Sequence, residues 1–164
     1  MERLGLLLCV NNSWSGGNLT GRDDPISGVC RAAHLANERG ERPDLVILFM
    51  GINDLGRRVS PDTFSADYER TLATIRHSLP DTAICCVNIP DRDPYFKQSA
   101  EIFNAAIAGA VEKAGEGVFL ADLFSSHLNN DCYYMNTVDG LHPDEDGMRI
   151  IADVIEAAIR KNLC

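Results

Sequence analysis

The chain has 164 residues, 45% of them hydrophobic and 24% charged, ordinary globular proportions that exclude a disordered chain or a fibrous repeat and fit one domain over 1–164. Its 15 Lys and Arg against 24 Asp and Glu leave a formal charge of −9, which argues against nucleic acid or an anionic membrane surface as partner. No apolar run approaches the roughly 18 residues of a membrane span.

The first apolar run, 3–10, reads as a strand, followed by a polar, Gly-rich loop to Asp24. Ser27 has the character of a helix N-cap, and Val29, Ala32, Ala33 and Ala36 supply an apolar stripe for a helix over 27–40. Residues 44–50 are apolar almost throughout, the pattern of a strand covered on both faces, and 51–60 reads as a loop. Ser60-Pro61 then opens a helix that carries Phe64, Tyr68, Leu72, Ile75 and Leu79 at steps of three and four until Pro80 stops it. A buried strand is expected over 82–89, a proline-bounded loop over 90–94, and a helix over 97–114 with Ile102, Phe103, Ala106, Ile107 and Val111 on one face. A short strand at 117–121, an irregular stretch at 122–141 and a helix over 143–161, with Met148, Ile151, Ile155 and Ile159 on its apolar face, complete the chain.

Strands and helices alternate, so the expected fold is α/β, a three-layer α/β/α arrangement with a doubly wound, mainly parallel sheet. Ligands of such sheets bind beyond the carboxyl ends of the strands. Three loops that follow strands are chemically loaded there: Asn11-Asn12-Ser13-Trp14-Ser15-Gly16, Gly51-Ile52-Asn53-Asp54 and Asp139-Gly140-Leu141-His142-Pro143. They offer hydroxyls, backbone N–H groups, a side-chain amide and a carboxylate-histidine pair, the inventory of acyl transfer. Each also has a plainer reading: a turn amide at Asn53, a positive-φ turn at Gly16, a surface histidine before a helix at His142.

Together, the three loops resemble the SGNH hydrolases, the GDSL esterase and lipase family, over nearly the whole chain. Gly51-Ile52-Asn53-Asp54 matches the family's G-x-N-D block, Asp139-Gly140-Leu141-His142 its D-x-x-H block, and the first loop its N-x-S-x-S-G block. The resemblance implies His142 as base, Asp139 as its orienting acid, Asn53 as the oxyanion amide and Gly16 as an oxyanion backbone donor. It implies a small acyl or carbohydrate ester as substrate and neither metal nor nucleotide cofactor.

The family's nucleophile block, Gly-Asp-Ser, occurs nowhere in the sequence, so the chain looks like a member lacking the first β-α unit. Two alternatives stay open: the nucleophile belongs to a missing upstream segment, or Ser13 takes its place in a degenerate first block. Little or no turnover of short p-nitrophenyl esters is expected of the chain as it stands. A catalytically dead remnant that binds a ligand or partner is the competing function; a flavodoxin-like nucleotide binder is a third, against which stands the lack of a G-x-G-x-x-G or P-loop pattern. If 3–10 is the family's second strand, it either moves inward to pair with 44–50 or leaves a sheet edge through which the chain forms a homo-oligomer. The six cysteines, Cys9, Cys30, Cys85, Cys86, Cys132 and Cys164, lack C-x-x-C spacing and read as reduced thiols, pointing to a cytoplasmic protein, with a secreted parent as the alternative. Arg57-Arg58 could meet an anionic substrate group or simply be solvated.

Overall fold

A computed structural model of the chain describes residues 4–8, 10–36, 40–90, 94–126, 128 and 136–163. Three strands, β1 (Leu45–Leu48), β2 (Ala83–Val87) and β3 (Val118–Ala121), form a parallel sheet in the order β1-β2-β3. The register pairs Ile47 with Cys85 and Leu48 with Cys86, then Cys85 with Phe119 and Cys86 with Leu120. Five helices accompany them: α1 (Gly28–Arg31), α2 (Ile52–Gly56), α3 (Pro61–Ser78), α4 (Pro94–Ala114) and α5 (Glu145–Leu163).

The period-two alternation of the strands divides the core into two layers. Leu48, Ile84, Cys86 and Val118 pack with Phe64, Tyr68, Leu72 and Ile75 of α3 and Phe103 and Ile107 of α4. Cys85, Val87, Phe119 and Ala121 face the other way, onto Ile151 and Ile159 of α5 and onto Leu123 and Leu128. The strands are laid down in one direction with crossovers of one hand, which puts both crossover helices on the same face. The last helix covers the other face and completes the three-layer α/β/α arrangement. Adjacent thiols thus point into opposite layers, and burial pushes both Cys85 and Cys86 up to about 12.

The expected caps hold. Ser60 accepts the Thr63 N–H at 3.1 Å ahead of Pro61, and α3 ends before Pro80. Ser27 accepts the Cys30 N–H at 3.3 Å, but the helix it opens is four residues long rather than the expected 27–40. Ala32 is buried while Ala33 and Ala36 are exposed, so the alanines never form the continuous buried stripe that would sustain a longer helix. Residues 37–39 lie outside the described residues. The 51–60 loop holds a short helix, α2, that the sequence pattern did not suggest.

The largest correction is at the N-terminus. Residues 4–8 and 10 form no strand, Gly5 sits at φ +67, outside the extended region, and among the described residues the inward pairing with 44–50 is not made. Leu7 is 93% and Leu8 66% exposed. An apolar run becomes a strand only where a neighbour takes its backbone groups, and here none does. Leu4 and Leu6 instead lie with Ile47, Met148, Ile155 and Ile159 along an open groove of about 630 Å³ between the outer side of the sheet and α5.

Candidate active site

The first half of the site is built where β1 meets α2. Gly51 turns the chain at φ +126, and a Cβ there would come within 3.0 Å of Phe64 and 3.1 Å of Ile89, so only glycine lets the chain leave the strand this way. That turn delivers Asn53 and Asp54 on the first turn of α2. Asn53 Nδ2 donates to the Gly17 carbonyl at 2.9 Å, and its second amide hydrogen has no partner among the described residues.

Asp54 is fully buried and accepts three hydrogen bonds from the first loop: Leu19 N at 2.8 Å, Thr20 N at 2.9 Å and Thr20 Oγ1 at 2.7 Å. Asp54 thereby fastens the irregular chain after Gly16 to the sheet's carboxyl edge. A second buried carboxylate, Asp67 of α3, takes Arg22 Nε of the same loop at 2.8 Å. Farther along, the loop's backbone is held by Gly28 N and Val29 N, which donate to the Asn18 and Leu19 carbonyls.

Within this frame, Trp14 to Gly17 forms a turn closed by Gly17 N donating to the Trp14 carbonyl at 3.1 Å. Gly16 has φ +70 and Ser15 a negative φ, the pattern of a type II turn, whose third residue needs glycine. The Gly16 N–H belongs to the turn's central peptide and donates to nothing among the described residues, as an oxyanion donor requires. Ser13 lies on the exposed chain before this turn, its backbone N–H on Asn11 Oδ1 at 3.1 Å.

The second half of the site precedes α5. Asp139 Oδ2 meets His142 Nδ1 at 2.7 Å, while Asp139 Oδ1 accepts the backbone N–H groups of His142 at 2.8 Å and Leu141 at 3.0 Å. These backbone and side-chain bonds from His142, with that from Leu141, hold the Asp139 carboxyl down at about 2. Gly140 N on Thr137 Oγ1, Val138 N on the His142 carbonyl and Asp144 N on the Asn136 carbonyl fold the loop back on itself. Asp144 then caps α5 by accepting the Gly147 N–H at 2.9 Å. Both members of the pair are open to solvent, His142 at 69% and Asp139 at 51% of their side-chain surface.

The structure thus joins Asn53 to the Gly16-Gly17 turn and Asp139 to His142, while no hydrogen bond of these residues joins one pair to the other. None of them lines the groove beside Ile47. His127, Tyr133 and Tyr134 lie outside the described residues, as do Cys9, Cys132 and Cys164. Sequence reading passed over the polar brace at the end of β2. Asn88 donates to Asp122 Oδ1 at 2.8 Å and accepts from Phe124 N at 2.9 Å. Burial raises the Asp122 carboxyl, but the bonds from Asn88, Ser125 and Phe124 outweigh it and leave it below the usual carboxylate range. Asn104, in the interior of α4, grips both polar groups of the Ile89 backbone at 2.8 Å. Its poor helix propensity was the available signal.

A parallel sheet covered on both faces, with a carboxylate-histidine pair and an amide-and-glycine donor set in its loops, defines an α/β protein equipped for hydrolytic chemistry. Residues 3–150 match the model of the GDSL-like lipase/acylhydrolase family, and the chain belongs to that family. It is 25% identical over 154 residues to an arylesterase from Vibrio mimicus, an alignment covering 94% of this chain and 70% of the relative. Its fold is similar to that of a Lactobacillus plantarum protein, with a TM-score of 0.75 at 20% identity over 92% of this chain and 79% of the other. A family 3 carbohydrate esterase from Clostridium thermocellum superposes with a TM-score of 0.65 at 22% identity, covering 82% of this chain and 67% of that one. No helix among the described residues is long and apolar enough to cross a membrane.

Proposed function

We propose that the chain is an ester hydrolase of the SGNH type acting on a small acyl or carbohydrate ester through an acyl-enzyme. His142 Nε2 is the general base and Asp139 holds the tautomer that frees it; Gly16 N–H and the second Asn53 amide hydrogen receive the oxyanion. The observation that carries this reading is the Asp139–His142 bond of 2.7 Å, made by a carboxyl that also orients the loop backbone. In acylation the nucleophile's proton passes to His142 Nε2 as its oxygen bonds to the acyl carbon. The alcohol leaves with that proton, and water deacylates the serine by the same route. Ser13 is the nucleophile candidate within this sequence. The carbohydrate esterase likeness supports an acylated sugar and the arylesterase likeness an aryl ester.

A second reading, a pocket that binds without turnover, is favoured by Ser13 lying on exposed chain that follows no strand. Fluorophosphonate labelling with peptide mapping separates the two. Label on Ser13, lost in His142→Ala, supports the hydrolase; an unlabelled chain that still binds the acid product supports the binding module.

A further inference from the structure

Arg57 is the C-cap residue of α2, its backbone N–H on the Asn53 carbonyl at 2.9 Å, so it follows Asn53 by one helical turn. Its Nη2 donates to the Gly16 carbonyl at 3.1 Å, next to the Gly17 carbonyl that Asn53 holds at 2.9 Å. Consecutive carbonyls of the turn are thus taken by a side chain of α2 and by that of its C-cap residue. A Cβ at Gly16 would find no heavy atom nearer than Arg57 Nη2, at 4.0 Å, so this guanidinium is the nearest group on that side of the turn. No carboxylate pairs with it among the described residues. The guanidinium is exposed, and Asp54 already fastens the loop through buried bonds, so the fold does not depend on Arg57.

We infer that Arg57 is a positioning residue that fixes the Gly16 N–H relative to the Asn53 amide, setting the spacing of the oxyanion donors. The inference rests on the hydrolase reading for its consequence in turnover, but the geometry it asserts is measurable without turnover. The Gly17 N–H, bonded to Trp14 across the turn, reports whether the turn is held, and the Leu19 and Thr20 N–H groups on Asp54 report whether the loop is.

Hydrogen exchange by NMR and p-nitrophenyl acetate kinetics are compared for the wild type, Arg57→Ala and Arg57→Lys. In Arg57→Ala, Gly17 protection and kcat each fall about tenfold, the size of one lost hydrogen bond to a charged group. KM and the protection of Leu19 and Thr20 hold; Arg57→Lys retains part of both losses, and added guanidinium restores part of kcat. Unchanged Gly17 protection overturns the inference whatever kcat does, and so does a parallel loss at Leu19 and Thr20, which would make Arg57 a support of the whole loop. A wild-type chain without ester turnover counts against the hydrolase reading alone, and Gly17 exchange then decides Arg57.

Discussion

The two halves of the candidate site are fastened by opposite means. The donor half hangs from a carboxylate with no solvent exposure, Asp54, and from a glycine turn, Gly51, wedged against Phe64 and Ile89. The base half, Asp139 and His142, is a self-contained loop bonded mainly to itself and open to water. A donor set must be rigid before charge develops, so it belongs in the core. On the proposed mechanism the base only passes a proton from nucleophile to leaving alcohol, and from water back, which asks that its Nε2 be reachable rather than buried in the core. Mutations should therefore separate along this line, the donor half responding in stability and the base half in turnover and pH.

The sharpest break is His142→Ala, which lowers ester turnover on the order of 10⁶-fold, as loss of a triad base does, and abolishes fluorophosphonate labelling with it. The melting temperature should not move, because the ring is mostly in solvent. A melting temperature that falls with the activity would show that the base half is also structural.

Asp54→Ala reverses the pattern. It strands two buried N–H donors and a hydroxyl, a loss of about 3 kcal/mol from roughly 1 kcal/mol per unsatisfied group. Urea unfolding measures it, and a change under about 1 kcal/mol would mean that water replaces the carboxylate and the loop is not core-bound. Gly51→Ala follows at about 2 kcal/mol, from a residue forced to positive φ and a Cβ against Phe64 and Ile89, read by the same assay.

The smallest effect is at Asp139. Its carboxyl is held at about 2, below its ordinary value, so the bonds it makes are complete above the unfolded-state pKa of roughly 3.9 and are lost as pH falls through about 2. The Leu141 and His142 amide resonances should move together below about pH 4, as the Asp139 carboxyl takes up its proton. An inflection near the ordinary carboxylate value would show that the loop bonds do not form in solution.

Much of this was legible in the sequence because the signals were local. Apolar runs at 44–50, 82–89 and 117–121 gave the three strands within a few residues, and Ser60-Pro61 gave the start of α3, since caps and buried strands are written in adjacent residues. Asn53, Gly16, Asp139 and His142 stood out because a glycine or a proline punctuates the loops that carry them. Asp54, Asn88 and Asn104 acquire their roles from partners 35, 34 and 15 positions away, separations that leave no local trace. The error at 3–10 has the same origin: a strand is a relation between two segments, and seven apolar residues supply one of them.

The arrangement of helices about the sheet has a further consequence, for local opening. From β1 through α2, α3, β2, α4 and β3 the chain builds one side of the sheet continuously, and Asp54, which anchors the first loop, is internal to that unit. α5 comes last, lies alone among the helices on the opposite layer, and carries the 136–144 loop at its amino end. Such an element can detach as a sub-global unit at lower free energy than full unfolding. Amide exchange in α5 should therefore run faster than in α3, and each excursion would withdraw the histidine while leaving the donors assembled. On the proposed roles, the protein would then fluctuate between a state with both halves of the candidate site and one with the donor half alone.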